Sequence, residues 1–214
     1  MRVLGLDPSL RNYGWALHDT EAEGRDRCLA RGRFRTEPRQ FSDEIGRYMH
    51  LRDCLQEKIA ELAPDTMGIE HPVMNEDYSE GMYGLFLFSM EAIKSEAQNL
   101  VLVGPPQVKK WAFDLLKRPK GWKMGKSDMV EAAREHAGGG SWDHNEADAY
   151  LVGAFAGRFW KFYVDDLHED ELTIYEKKTF TLIRTITKGK RAGKLETKGF
   201  LHREGDRFFL WSVE

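Results

Sequence analysis

The chain opens on a short apolar run, Val3 to Leu6, that is broken by Pro8 and Ser9 and resumes from Tyr13 to Leu17. That spacing predicts two strands joined by a turn, with Asp7 at the mouth of the hairpin. Cys28 to Arg35, sided by Leu29 and Phe34, predicts a third strand. From Phe41 to Leu62 the residues Ile45, Tyr48, Met49, Cys54, Leu55, Ile59 and Leu62 recur near helical spacing, so a long helix with a core-facing stripe is expected, ending at Pro64. Thr66 to Ile69 predicts a strand that delivers Glu70, and about Met82 to Asn99 a helix. Leu100 to Val103 then reads as a strand, and Gln107 to Leu116 as a helix. A basic loop, KRPKGWKMGK, opens into a helix from near Ser127 to His136 that Gly138 to Gly140 stop. An amphipathic helix carrying Asp148 starts a few residues later. Three meandering strands followed by alternating helix and strand predict an α/β fold: a mixed five-stranded sheet with helices on both faces.

Beyond Tyr163 the composition shifts. DDLHEDE is an acidic connector, and the rest alternates apolar and polar residues, with Thr179 to Thr187, Leu195 to Arg203 and Arg207 to Val213 reading as antiparallel strands. The expected organisation is therefore a core domain over residues 1–163 and a small β-rich appendage over residues 164–214. Three or four strands are marginal alone, so the appendage is expected to pack on the core or on a second subunit.

With 214 residues the chain can build one full-sized core plus such an appendage. Its net charge of -3 is not the basic balance of a protein that coats nucleic acid, so any contact with a polyanion must come from local basic patches. The two cysteines, Cys28 and Cys54, have no metal-ligand spacing, which makes a zinc site or a disulfide framework unlooked-for. No apolar run approaches the roughly 18 residues of a membrane span, and the expected setting is intracellular, in the cytoplasm.

Chemistry enters with the acids. Asp7 ends one apolar strand, Glu70 ends another, and Asp148 lies on an amphipathic helix. Burying an ionised carboxylate costs several kcal/mol unless it is paired or binds a metal, so each of the three needs a partner. Hard Mg²⁺ or Mn²⁺ takes oxygen ligands, and two such ions roughly 3.5–4 Å apart clamp the attacking and leaving oxygens of a phosphodiester. That is nuclease chemistry, with no side-chain nucleophile required. A turn-capping role is the alternative for any one of these acids taken singly.

At these residues the chain resembles a known family. GLDPSLRNYGWAL, IEHPVM, GPPQVKKW, GKSDMVEAA and NEADAYLV follow the order and approximate spacing of the RuvC-like Holliday-junction resolvases, within the ribonuclease H-like superfamily. The resemblance covers Met1 to about Trp160. It implies a ribonuclease H-like fold and two Mg²⁺ ions, with Mn²⁺ able to substitute, held by Asp7, Glu70 and Asp148. It implies an endodeoxyribonuclease acting on four-way DNA junctions as a homodimer, with an interface for which the helix from Met82 to Asn99 is aromatic enough. The family usually places an Asp or His three residues before the last acid, where this chain has Asn145; His144 is four residues before it. Asp143 is the favoured additional carboxylate, with a plain helix cap as its alternative. Lys109 and Lys126 match lysines that touch the DNA backbone in the family. Lys110 and Lys123 extend a basic cluster interleaved with Trp111 and Trp122 that suits phosphate contact and stacking, with a core position as the equal alternative for Trp111. Where the family often inserts an aromatic wedge, the chain has Val73, with Met74 and Tyr78 nearby. Rival expectations are a related nuclease for flap or branched DNA or an RNA–DNA hybrid, and a non-catalytic nucleic-acid-binding module. An ATPase of the sugar-kinase type would need glycine-rich phosphate loops that the sequence lacks.

Overall fold

A computed structural model describes residues 1–72, 80–96, 99–164, 167–180, 182–185, 192–197, 199–204 and 207–212. The apolar runs form the strands β1 (Arg2–Asp7), β2 (Asn12–Asp19) and β3 (Cys28–Arg35), paired as an antiparallel meander. Next come α1 (Glu44–Leu62), β4 (Thr66–Glu70), α2 (Glu80–Glu96) and β5 (Asn99–Val103), with β4 parallel to both β1 and β5. Three helices follow, α3 (Pro105–Leu115), α4 (Lys126–His136) and α5 (His144–Tyr163). The C-terminal part adds α6 (Ile174–Thr179), β6 (Ile183–Thr185), β7 (Leu195–Thr197), β8 (Gly199–Glu204) and β9 (Arg207–Ser212).

The sheet is larger than the expected five strands. Its order is β3-β2-β1-β4-β5-β9-β8, because β9 pairs parallel with the free edge of β5, Leu100 opposite Phe209, and β8 closes on β9 as a hairpin. A bare β5 edge would expose a row of unpaired backbone groups, and the hairpin covers it. Phe209 and Leu210 are buried on opposite faces of the sheet. β6 and β7 form a separate two-stranded ribbon.

The expected strand from Thr179 to Thr187 is corrected over its first residue, which closes α6. Thr173 accepts from the Glu176 backbone at 3.1 Å while the Glu176 carboxylate accepts from the Thr173 backbone at 2.8 Å, a reciprocal cap that starts a helix where apolar–polar alternation suggests a strand. Glu176 is almost wholly buried; it also accepts from Trp111 Nε1 at 3.1 Å and pairs with Arg158. Glu176→Ala should therefore destabilise the protein by about 3 kcal/mol, because it strands the Arg158 charge and an indole N–H. A urea melt reads this, and an unchanged midpoint would show that the cluster contributes nothing.

Two packed layers flank the sheet. α1 and α2 cover one face through Tyr48, Leu51, Leu55, Leu85 and Ile93 on Leu4, Leu6, Met67 and Ile69. α3, α4 and α5 cover the other through Val108, Trp111, Met129, Leu151 and Phe155 on Val3, Ala16, Val101 and Val103. In α1 the stripe is narrower than expected: Ile45 and Met49 are exposed, and the helix begins at Glu44 because Asp43 caps it by accepting from Gly46 N at 2.7 Å. Arg47 is buried instead, its guanidinium donating to Thr36 Oγ1 at 2.8 Å and Leu10 O at 2.6 Å.

The helix that matters most for the site, α5, lies hard against the sheet. Gly5 on β1, Gly14 on β2 and Gly68 on β4 face it, and a Cβ on any of them would overlap its atoms: Ala149 O and Gly153 N at Gly5, Asn145 O at Gly14, Ala156 Cβ at Gly68. Small residues on both sides bring the helix axis close, and this fixes where Asp148 stands relative to the strand ends.

Candidate metal centre and nucleic-acid interface

Asp7 and Glu70 end neighbouring parallel strands in matched register, since Leu6 lies opposite Ile69. Asp148 comes to them from the second turn of α5. All three are part-buried. Burial pushes the Asp7 carboxyl well above its usual range, and the charges of Glu70 and Asp148 push it further. Glu70 is raised to about 7 by burial and by Asp148. Asp148 is raised to about 6, chiefly by burial. Three acids that each resist ionisation beside the others make a site that calls for cationic charge.

Two lysines supply some of it. Lys109, on α3, lowers the pKa of Glu70 and Asp148, and Lys126, the first residue of α4, lowers that of Asp7 and Asp148. Both are solvent-exposed. The prolines at the start of α3, and Gly104, whose backbone N–H donates to Gln107 Oε1 at 2.7 Å, set the entry of α3. Lys110 and Lys123 are also exposed, on α3 and in the loop before α4.

The aromatic residues of the basic cluster part company. Trp111 is buried core. Trp122 is half exposed, donates to Asp128 Oδ1 at 3.2 Å and carries the Arg118 guanidinium 5.2 Å over its ring. Arg118 itself is tied to Asp128 at 2.9 Å and Glu131 at 2.5 Å.

Asp143 stands at the N-cap of α5. One of its oxygens accepts from Asn145 N at 3.0 Å and Asn145 Nδ2 at 2.9 Å, and the other pairs with Arg33 on β3. Those contacts hold its carboxyl below the usual range despite burial. His144 lies one turn before Asp148, and after burial it is the largest influence on Asp148, lowering its pKa. Nothing in the chain's acid spacing marks the Arg33 clamp; the signal available was the alternation of Arg31, Arg33 and Arg35 along β3. Val73, Met74 and Tyr78 lie outside the described residues.

Among the described residues no group of three or more His, Cys, Asp or Glu side chains is arranged to hold a metal ion as it stands. The donor set nevertheless fits a hard divalent cation: the donors are carboxylate oxygens, crowded, and destabilised in their charged form by one another. No helix among the described residues is long and apolar enough to cross a membrane.

A mixed sheet opened by an antiparallel meander, packed by helices on both faces and carrying three crowded acids at one end, is an α/β fold of the ribonuclease H-like type with an acidic centre. Its sequence and its fold are similar to those of RuvC proteins. Over 77 residues it is 36% identical to the crossover junction endodeoxyribonuclease RuvC of Cereibacter sphaeroides, covering 36% of this chain and 44% of the relative. Over 75 residues it is 37% identical to the protein of the same description from Paramagnetospirillum magneticum, covering 35% of this chain and 43% of that one. The chain thus spans less than half the length of the curated relatives it matches. The fold of Thermus thermophilus RuvC superposes with a TM-score of 0.59 at 18% identity, over 72% of this chain and 92% of that one. The same protein in complex with a Holliday junction substrate gives 0.57 at 16% identity, over 72% and 90%. The chain matches no family profile.

Proposed function

We propose that this protein is a divalent-metal-dependent endonuclease that cuts branched DNA, with the four-way junction as its substrate. The observation that carries the reading is the crowding of Asp7, Glu70 and Asp148 at one end of the sheet, where burial raises all three and Asp148 further disfavours the ionisation of Asp7 and Glu70. Asp7, Glu70 and Asp148 would hold two Mg²⁺ ions, or Mn²⁺ in their place, which supply an activated water and charge stabilisation at the scissile phosphate. Lys109 and Lys126 recruit the phosphodiester and offset charge that develops on it. Lys110 and Lys123 lengthen that basic rim. That the relatives are crossover junction endodeoxyribonucleases supports the choice of substrate.

Symmetric nicking of a four-way junction needs two centres related by a two-fold axis, so the reading includes a homodimer. α1 and α2 pack side by side and leave Ile45, Met49, Tyr83 and Leu87 exposed, apolar area that a second copy would cover.

The fourth ligand is assigned to His144 rather than Asp143. Both Asp143 oxygens are already engaged by Asn145 and Arg33, whereas His144, whose Nδ1 lies 3.9 Å from Asp143 Oδ2, also lowers the pKa of Asp148. His144→Ala is expected to slow cleavage by roughly 10- to 100-fold. Asp143→Ala is expected to leave the rate within a few-fold while lowering stability by about 1 kcal/mol through the lost cap. Single-turnover rates and urea midpoints of the two variants check this; the opposite ranking of rates would return the role to Asp143.

The function is tested by incubating a labelled synthetic four-way junction with Mg²⁺ or Mn²⁺, beside matched duplex, flap and RNA–DNA hybrid. Paired symmetric nicks in the junction are expected. Preferential cutting of flap or hybrid would move the substrate while keeping the centre, and binding without cutting under either metal would leave a nucleic-acid-binding module.

A further inference from the structure

The edge strand β3 reads CLARGRFR, and its side chains alternate. Phe34 packs on Tyr13 and Trp15 on the α1 face, so Arg31, Arg33 and Arg35 share the opposite face, that of α5. The first two are consumed there. Arg31 lies 3.8 Å over the Trp142 ring and donates to Glu146 Oε2 at 3.1 Å and to Ser141 O at 2.7 Å, and Arg33 pairs with Asp143.

Arg35 lies beyond the start of α5 and lines an open cavity of about 750 Å³ with Arg11, Asn12, Arg33, Thr36 and Arg39. The acid in that lining is Glu37, already paired with Arg39 at 2.6 Å. Of the four arginines in the lining, Arg33 is paired with Asp143 and Arg39 with Glu37, which leaves Arg11 and Arg35 without an ion pair among the described residues. Like charges gathered this way repel, and the arrangement gains most when an anion enters.

The segments bearing Arg11 and Arg35 are locked together. Thr36 N donates to Arg11 O at 3.2 Å, Thr36 Oγ1 donates to Leu10 O, and the buried Arg47 holds both Thr36 Oγ1 and Leu10 O from behind. The cleft also adjoins the acidic centre, since Arg11 follows Asp7 through the turn and Arg33 reaches the cap of the helix that carries Asp148.

We propose that Arg11 and Arg35 form a phosphate-binding cleft that grips the sugar–phosphate backbone of a duplex arm leading away from the scissile bond. The inference rests on the nuclease reading above. Planar guanidinium forks pair two-pronged with phosphate oxygens, and such contacts position a duplex without reading its sequence.

The test is the salt dependence of four-way-junction binding in EDTA, where cleavage does not intervene, for the wild type, Arg11→Gln/Arg35→Gln, Arg11→Lys/Arg35→Lys and, as a control on α1, Arg52→Gln. Matching melting curves establish that the variants fold. Neutralising two phosphate contacts in each of the two subunits is expected to flatten the slope of log K against log salt by about 4 and to weaken binding at moderate salt by roughly tenfold or more. The lysine pair should keep most of the slope, and the control should not move it. A wild-type protein that binds, with a glutamine pair of equal slope and affinity, would overturn the cleft alone. A wild-type protein that does not bind the junction would overturn the nuclease reading and the cleft with it.

Discussion

Asp7→Asn is expected to abolish metal-dependent cleavage while making the metal-free protein more stable at neutral and alkaline pH. The two effects share one cause. Asp7 is held well above its ordinary pKa by burial and by Glu70 and Asp148, and that repulsion is mutual. Removing one charge takes away a ligand, which should lower the cleavage rate on the order of 10³-fold, several kcal/mol of transition-state stabilisation. It also relieves the other two acids. The sign follows from proton counting: Glu70 titrates near 7 and Asp148 near 6 in the folded protein, both above their ordinary values of 4.5 and 3.8. Between about pH 4 and pH 7 the native state therefore binds more protons than the unfolded chain, so the metal-free wild type loses stability as pH rises through that window, on the order of a few kcal/mol. Thermal melts in EDTA at pH 4.5, 6 and 8 should show that decline for the wild type and a shallower one for Asp7→Asn, and added Mg²⁺ should rescue the wild type more than the variant. Melts with the same pH profile for both proteins would sink the shared-site interpretation, as would retained cleavage in the variant.

What was legible in the sequence follows from how local each signal is. The acids at Asp7 and Glu70 stand out because a polar residue that ends an apolar strand is visible without tertiary information. Asp148 needed α5 to be recognised as a helix, and the expected amphipathic stripe is in fact a helix buried on nearly all sides from Ala149 to Gly157. Lys109 and Lys126 are seen to act on the acids, although sequence placed them by resemblance and structure by charge. In the basic cluster the two tryptophans separate: Trp111, for which a core position was the equal alternative, lies in the core on Glu176, and Trp122 lies at the surface against Arg118.

The remainder depended on long-range pairing. Nothing in Arg207 to Ser212 states that its strand partner is β5, some hundred residues earlier, so the five-stranded sheet expected from the sequence lacks β9 and β8 at its edge. The short helix α6 was legible in principle from the Thr173–Glu176 spacing, but apolar–polar alternation over the same residues pointed the other way. Asp143 looked available because sequence cannot show that Arg33, from a strand more than a hundred residues away, occupies it. Ile45 and Met49 sit at helical spacing with the core residues of α1 and still face solvent, while a charged Arg47 takes the buried place because backbone oxygens and Thr36 satisfy its guanidinium.

Gly5→Ala is expected to be the most damaging single-methyl change in the protein, lowering stability by about 3–5 kcal/mol. The added Cβ would fall on Ala149 O and Gly153 N, with Gly153 Cα at 2.7 Å, and these are backbone atoms of a helix held along its length by the sheet. No rotamer change relieves such an overlap. Either α5 lifts from β1 or the central strand bends, and each exposes the apolar contacts of Leu151, Val152 and Phe155 to looser packing. Gly32→Ala makes the useful comparison. Its Cβ would also be crowded, at 2.7 Å from Trp15 Cζ2, but the neighbour there is a part-exposed side chain beside an edge strand, so about 1 kcal/mol is expected. Urea midpoints of the two variants check the contrast, and a Gly5→Ala protein within 1 kcal/mol of the wild type would show that α5 is not pinned where it lies. Because Asp148 immediately precedes Ala149, the same displacement should move one acid of the centre away from the other two. Gly5→Ala should therefore lose metal-dependent cleavage even under conditions where it remains folded, which a strand glycine with no polar side chain would otherwise have no reason to do.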